Sequence, residues 1–255
     1  MRRRSAARLG RAGMFVLIAA LAPGVAPAAN GPCAPMHFED ADYSICKFDV
    51  RRDDIRLYWK DAAGKPYANF STLAQTLKER GRALRFAMNA GMFETDLSPV
   101  GLFVENGRRI RPADTRAGES NFHLKPNGVF WIGESSAGVT ETSRYLANPP
   151  AARFATQSGP MLVIDGRIHP KILPTGTSEK VRNGVCVRDG ATAVFAISET
   201  SVTFNAFARL FRDAIGCSNA LFLDGSVSSL YAPDLGRDDE FSPLGPIVGV
   251  TTPAP

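Results

Sequence analysis

Two acidic residues, Glu199 and Asp224, each follow a short apolar stretch that is typical of a buried strand. A predicted helix over residues 204–215 joins these strands, and such a connection is expected to be a right-handed parallel crossover. If the strands are neighbours, both carboxylates end at one edge of the sheet, within several ångströms of each other. Two carboxylates at such a separation are the usual apparatus for glycosyl transfer to water. Both are therefore candidate catalytic residues.

Asp224 opens a short polar segment whose glycine and serines suit a sharp turn followed by the start of a helix. A carboxylate beside a helix N-terminus at a strand end lies where open sheets usually bind ligands. Gly225, Ser226 and Ser228 are therefore candidate substrate contacts. The plainer interpretation is that Asp224 only caps a turn.

Polar residues also stand at other predicted strand ends. Arg182 would supply a fixed guanidinium suited to phosphate, or it is an ordinary surface arginine. Asn89 and Asn183 can both donate and accept hydrogen bonds, as recognition of sugar hydroxyls requires, or they cap turns. Together with the two acids, these residues indicate a polar cleft.

Further candidates lie at residues 157–159 and at one histidine. Gln157, Ser158 and Gly159 offer backbone N–H groups and a hydroxyl, although a tight turn uses the same residue types. The three histidines have no metal-ligand spacing, and His123 is the preferred one as a substrate contact. A serine hydrolase is disfavoured because no histidine follows Ser226 and the segment departs from G-x-S-x-G. No pattern indicates a metal or a cofactor.

The first 29 residues have the pattern of a secretory signal peptide, with a basic start, an apolar run at 14–21 and small residues at 26–28. Without these residues, which hold five arginines and no acid, the chain balances 25 basic against 25 acidic residues. A neutral chain offers no basic field for nucleic acid. We predict a periplasmic or secreted protein, cleaved near residue 28, without a membrane span in the mature chain. An uncleaved anchor is the alternative.

The four cysteines, an even number in an exported chain, indicate disulfides. Three pairings are possible. We favour Cys33–Cys46, which would tie down the mature N-terminus, and Cys186–Cys217, which would link two core segments. Free buried cysteines are the alternative, and the lack of a CxxC spacing argues against zinc.

Apolar alternation and turn residues predict many short strands and two helices. The predicted strands cover 43–50, 55–59, 84–88, 100–105, 108–111, 121–125, 128–132, 154–156, 161–164, 167–168, 185–188, 192–197 and 220–223. The predicted helices cover 72–80, with a cap at Asn69, and 204–215. The tail from residue 233 is predicted loop apart from an apolar piece at 246–250. We expect a single α+β domain over residues 30–255, with a large mixed, mostly antiparallel sheet and a few packed helices.

Four motifs follow one another along the chain. They are Asn89-Ala90-Gly91-Met92-Phe93, Gln157-Ser158-Gly159-Pro160 with Asp165-Gly166, Arg182-Asn183-Gly184-Val185, and Leu223-Asp224-Gly225-Ser226 with Ser228-Ser229. Together they resemble the phosphodiester glycosidase family, also described as uncovering-enzyme-like domains, and its bacterial exported branch in particular. The resemblance covers roughly residues 45–250.

The resemblance implies hydrolysis of a sugar-1-phosphodiester, so that a glycan or sugar phosphodiester is the expected partner. It implies a site at Asn89, Gly91, Arg182, Asn183, Asp224, Gly225 and Ser228. We expect Asp224 to act as base or nucleophile with Glu199 as its partner, while Arg182 stabilises the phosphate. Ser226 and Val227 replace two glycines of the commoner family motif, and Ala90 stands where many members have glycine.

Two other functions are compatible with the same residues. A non-catalytic envelope protein that binds a glycan or phospho-sugar polymer would use the asparagines and the arginine without needing both acids. A structural envelope domain with a vestigial site would accommodate the side chains at Ser226 and Val227.

Overall fold

The computed structural model of the protein describes residues 31–254. The predicted signal peptide, residues 1–29, lies outside the described residues. Strands dominate the described part, and its strand pairings are antiparallel. The fold is α+β, as predicted, although the single large sheet of the prediction is divided into three.

Short strands alternate with turns along the whole described chain. The strands are β1 (Cys33–Phe38), β2 (Ala41–Asp49), β3 (Asp54–Tyr58), β4 (Arg82–Asn89), β5 (Phe103–Glu105), β6 (Arg108–Arg111), β7 (Gly128–Ile132), β8 (Ala137–Glu141), β9 (Phe154–Ser158), β10 (Met161–Ile164), β11 (Arg167–Ile168), β12 (Glu179–Lys180), β13 (Asn183–Arg188), β14 (Thr192–Ser198), β15 (Val202–Thr203), β16 (Ala220–Asp224), β17 (Leu230–Ala232), β18 (Arg237–Asp238) and β19 (Ile247–Pro253). The helices are α1 (Phe70–Glu79), α2 (Thr142–Ala147) and α3 (Phe204–Arg209), with a π-helical turn at Leu210–Ala214 and 3₁₀ turns at Asn121–His123 and Pro233–Leu235.

The strands form three large sheets. The first sheet has the order β1-β2-β14-β13-β16-β10-β11, the second β18-β17-β4-β19-β3 and the third β6-β5-β9-β7-β8. A small ribbon pairs β12 with β15. Because β13 pairs antiparallel with both β14 and β16, those two strands run parallel but are not neighbours.

One apolar core lies between the three sheets. It contains Phe48 and Phe195 from the first sheet, Phe86 from the second and Phe130 from the third, all buried. The ring centroid of Phe86 lies 4.9 Å from that of Phe48 and 5.0 Å from that of Phe195, and Phe130 lies 5.7 Å from Phe195. Aromatic pairs at such spacings stabilise a core beyond the area that they bury. The rings therefore hold the three sheets, and their strand ends, against one another.

Helices cover the outer faces of the sheets. In α1, Leu73 and Leu77 pack on the second sheet, and the Asn69 side chain caps the helix, as predicted, by accepting a hydrogen bond from the Thr72 amide at 2.8 Å. The predicted helix over 204–215 is confirmed, but it begins as α3 and ends in the π-helical turn. Its Phe207 and Phe211 pack on the first sheet. Within residues 31–254, no helix is long and apolar enough to cross a membrane.

Three tight hairpins have Asn-Gly or Asp-Gly as the central residues of their turns. Both central residues of each turn have the positive φ of a type I′ turn: 51° and 74° at Asn106-Gly107, 47° and 78° at Asp165-Gly166, and 53° and 64° at Asp189-Gly190. These turns join β5 to β6, β10 to β11 and β13 to β14. Local turn chemistry therefore sets the register of these strand pairs.

Two predicted segments are wrong. Residues 121–125 are not a strand: Asn121–His123 form a 3₁₀ turn, and the Asn127 side chain donates a hydrogen bond to the Phe122 carbonyl and folds the segment back. β7 instead pairs with β8 and β9. Most of the tail is also not loop, since β19 is a long strand between β4 and β3. Only the apolar start of β19 can be recognised from the sequence pattern. Its remaining residues are in a strand because they pair with β3 and β4, which are distant in the chain.

Both predicted disulfides are confirmed. Cys33 and Cys46 lie directly opposite each other in the β1–β2 pair. Cys186 of β13 is bonded to Cys217, which precedes β16. The second disulfide therefore links the segment between α3 and β16 to β13, which is the strand that pairs with β16.

We expect the double substitution Cys186→Ala/Cys217→Ala to lower the free energy of unfolding by roughly 2–4 kcal/mol, because the unfolded chain regains the freedom of the closed loop. Urea denaturation of the oxidised proteins measures this difference. Cys33→Ala/Cys46→Ala, which opens the shorter loop, is the matched comparison and should cost less. An unchanged midpoint in the first variant would contradict the prediction.

Candidate active site

The ends of the first and second sheets meet at a pair of buried asparagines. The Asn183 side-chain amide, at the start of β13, donates to Oδ1 of Asn89 at 2.8 Å and to the Asn89 carbonyl at 2.9 Å. The Ser229 amide also donates to Asn89 Oδ1, at 3.0 Å. Asn89 Nδ2 is buried and has no hydrogen-bond partner among the described residues. The structure thus brings both predicted asparagines together, with one amide donor unsatisfied.

Asp224 is the last residue of β16 and lies opposite Asn183 in the β13–β16 register. Its side chain is buried, and Oδ1 accepts hydrogen bonds from the amides of Ser226 at 2.5 Å and Val227 at 3.2 Å. Burial raises the pKa of Asp224, and these amides oppose the rise only in part. Both hydrogen bonds reach Oδ1 and neither reaches Oδ2, while the segment 225–229 that follows Asp224 lines the neighbouring cleft.

The helix expected after Asp224 is absent from the described chain: residues 225–229 form a loop that leads into β17. The prediction of helix-capping serines is therefore wrong. Ser228 Oγ instead donates to the carbonyls of Asp224 and Val181, each at 3.0 Å, which ties the loop to the segment before β13. Ser226 is exposed on the loop. The loop is held by hydrogen bonds to the Asp224 side chain and carbonyl, and these take the place of the hydrogen bonds that a helix would make.

Arg182 is buried, with only 1% of its surface accessible. Its Nε donates to the Val202 carbonyl at 2.9 Å and its Nη2 to the Ser178 carbonyl at 2.7 Å, while the guanidinium lies 3.6 Å from the Phe204 ring centroid. Burial lowers its pKa to about 10. A Cβ placed on Gly225 would lie 3.4 Å from Nη1. Arg182 is thus a buried cation directly behind the Asp224 loop, and it is not a surface arginine.

Glu199 follows β14 and is not adjacent to Asp224. The intervening β13 separates the two strand ends by two strand spacings, or about 10 Å. The Arg237 Nη1 donates to both oxygens of Glu199, at 2.7 and 2.9 Å, and Ser44 Oγ donates to it at 2.6 Å. The condition for closely spaced carboxylates is therefore not met, because the crossover passes over a strand.

A cleft of about 640 Å³ lies beside the Asp224 loop. Its lining includes Lys180, Glu199, Arg237, Asp239, Phe241 and the segment 225–229. Arg237 links the two acids of the lining, since its Nε also donates to Asp239 at 2.9 Å. Sequence reasoning missed Lys180, Arg237, Asp239 and Phe241. The last three lie in the tail that was predicted as loop, and only the run of charged residues at 237–240 marks it.

Three of the predicted substrate contacts have internal roles. Gln157 Oε1 accepts from the amides of Leu102 at 3.0 Å and Asp114 at 2.9 Å, and Ser158 Oγ donates to the Leu223 carbonyl at 2.9 Å. Gly159 packs so closely that an added Cβ would lie 2.6 Å from the Asn127 Cβ. Ser158 therefore holds the end of β9 beside β16, while Gln157 and Gly159 fix the neighbouring loops of the third sheet.

Gly91 and His123 also lie outside the cleft lining. Gly91 has φ +145°, and a Cβ there would lie 3.2 Å from Thr156 Oγ1, so the position requires glycine for backbone reasons. His123 Nε2 lies 3.1 Å from Asp114 Oδ2, and its Nδ1 lies 2.8 Å from Ser120 Oγ. Among residues 31–254, no group of three or more His, Cys, Asp or Glu side chains is arranged to hold a metal ion.

Comparison with known proteins decides the family. A sequence model of phosphodiester glycosidases matches residues 82–248, which include Asn89, Arg182 and Asp224. The chain belongs to the phosphodiester glycosidase family. This confirms the resemblance found in the four sequence motifs. The chain is also similar to uncharacterized protein YigE of Escherichia coli (strain K12), with 32% identity over 177 residues, 69% of each chain.

Solved structures share the fold of this phosphodiester glycosidase family member. The zebrafish N-acetylglucosamine-1-phosphodiester alpha-N-acetylglucosaminidase catalytic domain, auto-inhibited by its pro-peptide, matches with a TM-score of 0.59 at 14% identity, over 86% of this chain and 81% of its own. A hypothetical protein from Synechocystis matches with a TM-score of 0.56 at 14% identity, over 86% of this chain. The chain spans 61% of the length of the Synechocystis protein.

We expect Asp224→Asn to unfold with a higher free energy than the wild type at neutral pH. Asparagine keeps the Oδ1 acceptor, and it removes a buried charge. Because the folded-state pKa of Asp224 is raised above the ordinary 3.8, ionisation destabilises the wild type as pH rises through the interval between the two values. The advantage of the variant should therefore grow over that interval and then level off.

Urea denaturation across a pH series measures this difference. Asp213→Asn is the control of opposite sign, because the Arg212 side chain lowers the pKa of Asp213 and its stabilisation is lost as pH falls. A neutral-pH stability of Asp224→Asn below that of the wild type would contradict burial of the Asp224 charge.

Proposed function

We propose that this protein hydrolyses a sugar-1-phosphodiester in the cleft beside residues 225–229, with Asp224 as the catalytic carboxylate. The observation that carries the proposal is the buried carboxylate at the end of β16, oriented by the amides of Ser226 and Val227 and held beside a polar cleft. Membership of the phosphodiester glycosidase family supports the reaction class. The name of the zebrafish relative supports N-acetylglucosamine as one sugar to test.

The reaction requires one base or nucleophile at the anomeric carbon. In the simplest route, Asp224 Oδ2 accepts a proton from a water molecule, and the oxygen of that water bonds to C1. The bond between C1 and the bridging oxygen of the phosphate then breaks. The electron pair of that bond leaves with the phosphate oxygen, so the products are the free sugar and a phosphate monoester. A phosphate leaving group is a stable anion and needs little help from a general acid.

The leaving group does need stabilisation of its charge. Arg182 lies behind Gly225 with hydrogen bonds to two neutral carbonyls, and burial is the cause of its pKa change. In a region of low dielectric, such a cation acts over a longer range than it would in water. Lys180 in the cleft lining adds positive charge nearer to solvent, whereas the charge of Arg237 is already met by Glu199 and Asp239. We assign Arg182 and Lys180 to the phosphate.

Glu199 fits a positioning role better than that of a second catalytic acid. Its two oxygens hold Arg237, which in turn reaches Asp239, so this chain of charges fixes one side of the cleft. Both Glu199 oxygens already accept hydrogen bonds from Arg237, and Oε1 also accepts one from Ser44 Oγ, so the side chain is held within the cleft wall. In this proposal Glu199 orients Arg237, and Asp224 acts on C1 or on water.

We also propose that the protein acts outside the cytoplasm. Two disulfides are formed, and disulfides persist in oxidising compartments such as the periplasm. The predicted leader provides the route. A substrate of the cell envelope or the medium is therefore the class to test.

Hydrolysis of a panel of sugar-1-phosphate methyl diesters by the residue 30–255 form tests the proposal. We expect release of sugar by the wild type and a loss of about 10³-fold or more in kcat/KM for Asp224→Asn. Asp213→Asn is the matched surface control and should keep full activity. Near-full activity of Asp224→Asn would end the assignment, and binding of the sugars without turnover would favour the non-catalytic envelope protein.

The pH dependence of kcat/KM gives a second test. Because the base must be ionised, activity should rise with pH through an apparent pKa above the ordinary 3.8 of aspartate, since burial raises the pKa of Asp224. The rise should persist in Glu199→Gln if Asp224 is its source. Loss of the rise in Glu199→Gln would transfer the role of base to Glu199.

A further inference from the structure

Phe241 is the most exposed large apolar side chain in the described part of the chain. Its surface is 83% accessible, compared with 59% for Leu173 and 42% for Leu146. It lies between β18 and β19, and it lines the same cleft as Gly225 and Ser226. Such an exposed ring is unfavourable in water unless something covers it. Because the same cleft is lined by the segment that follows Asp224, the substrate is the natural cover for this ring.

The loop that carries Phe241 is anchored on both sides. Before it, Asp239 is buried and accepts a hydrogen bond from the Leu230 amide at 2.9 Å. After it, Leu244 is buried, and its amide donates to the Ala68 carbonyl at 2.7 Å. Glu240 also accepts from the Ser71 amide at 3.0 Å. The ring is therefore displayed by a loop with fixed ends.

The other residues that line the cleft indicate which kind of ligand the Phe241 ring can contact. Apart from Phe241, Val181 and Val227, the lining residues are polar, charged or glycine. A lipid chain would need a continuous apolar wall, which this lining does not provide. A pyranose ring has an apolar C–H face and a rim of hydroxyls, so it matches one aromatic ring surrounded by serines and charged groups.

We propose that Phe241 is the aromatic platform on which a pyranose ring of the substrate stacks, and that it is a specificity-determining residue of the cleft. The proposal deepens the proposed function, on which it rests for the position of the sugar beside Asp224. The exposed ring is the apolar part of the subsite, and Ser226, Lys180 and Arg237 supply polar partners for the hydroxyls and the phosphate.

The kinetic test uses the methyl diesters of glucose, galactose and N-acetylglucosamine 1-phosphate. Phe241→Ala should raise KM about tenfold while kcat stays within about twofold, because the stacking contact is lost in both ground and transition states. Phe241→Trp should retain the wild-type KM, and Phe241→Leu should not. Leu173→Ala removes a similarly exposed apolar side chain elsewhere and should change neither constant. A wild-type KM in Phe241→Ala would overturn the proposal.

A binding test separates this proposal from the catalytic one. In an Asp224→Asn background, calorimetry compares the three sugar diesters with dimethyl phosphate, which has no ring. Phe241→Ala should weaken binding of at least one sugar diester about tenfold and leave dimethyl phosphate unchanged. Ring-dependent binding without turnover by the wild type would overturn the hydrolase and support the platform. Turnover with no effect of Phe241→Ala would overturn the platform alone.

Three further results would also overturn the platform. The first is an equal loss of affinity for the sugar diesters and dimethyl phosphate in Phe241→Ala. The second is no binding of any sugar diester by the background protein. The third is loss of sedimentation with phosphatidylglycerol vesicles in Phe241→Ala with unchanged sugar binding, which would make Phe241 a membrane contact.

Discussion

The hydrogen bonds between Asn89 and Asn183 join the second sheet to the first at the point where the candidate site begins. Both side chains are buried, and a buried amide left without its partner would cost about 1–3 kcal/mol. Because Asn183 lies opposite Asp224 in the register, the same contact sets where the end of β16 lies. The Ser229 amide reaches Asn89 as well, so the loop after Asp224 is anchored to the second sheet.

Two buried ionisable groups give the site its electrostatic character. Burial raises the pKa of Asp224 and lowers the pKa of Arg182 to about 10, so each group is moved towards its neutral form. A fold selected for stability alone would avoid both costs. A buried carboxylate and a buried guanidinium near a cleft are more typical of a functional site. In the proposed function, the phosphodiester anion of the substrate supplies the negative charge that pairs with Arg182.

The aromatic core explains how three separate sheets bring distant motifs to one place. Phe86, Phe130 and Phe195 come from different sheets and touch in the centre. The strands that carry these rings, or their neighbours, end at Asn89, Ser158 and Asn183. The four motifs recognised in the sequence are therefore mostly the strand ends of one common core. Several of their members, such as Gln157 and Ser158, stabilise that junction rather than face a ligand.

Local chemistry in the sequence determined the hairpin turns at Asn106, Asp165 and Asp189 and the cap of α1 at Asn69, because these depend on residues next to one another. The ordered motifs also identified the family, and the even cysteine count led to the correct disulfides. The tertiary structure alone decided that β13 separates Glu199 from Asp224, that Arg237 faces Glu199, and that the tail forms β19. Those outcomes depend on pairing between segments far apart in the chain, and the energy of such pairing is not encoded in any short stretch. For the same reason, the position of Phe241 at the cleft was visible only in the folded chain.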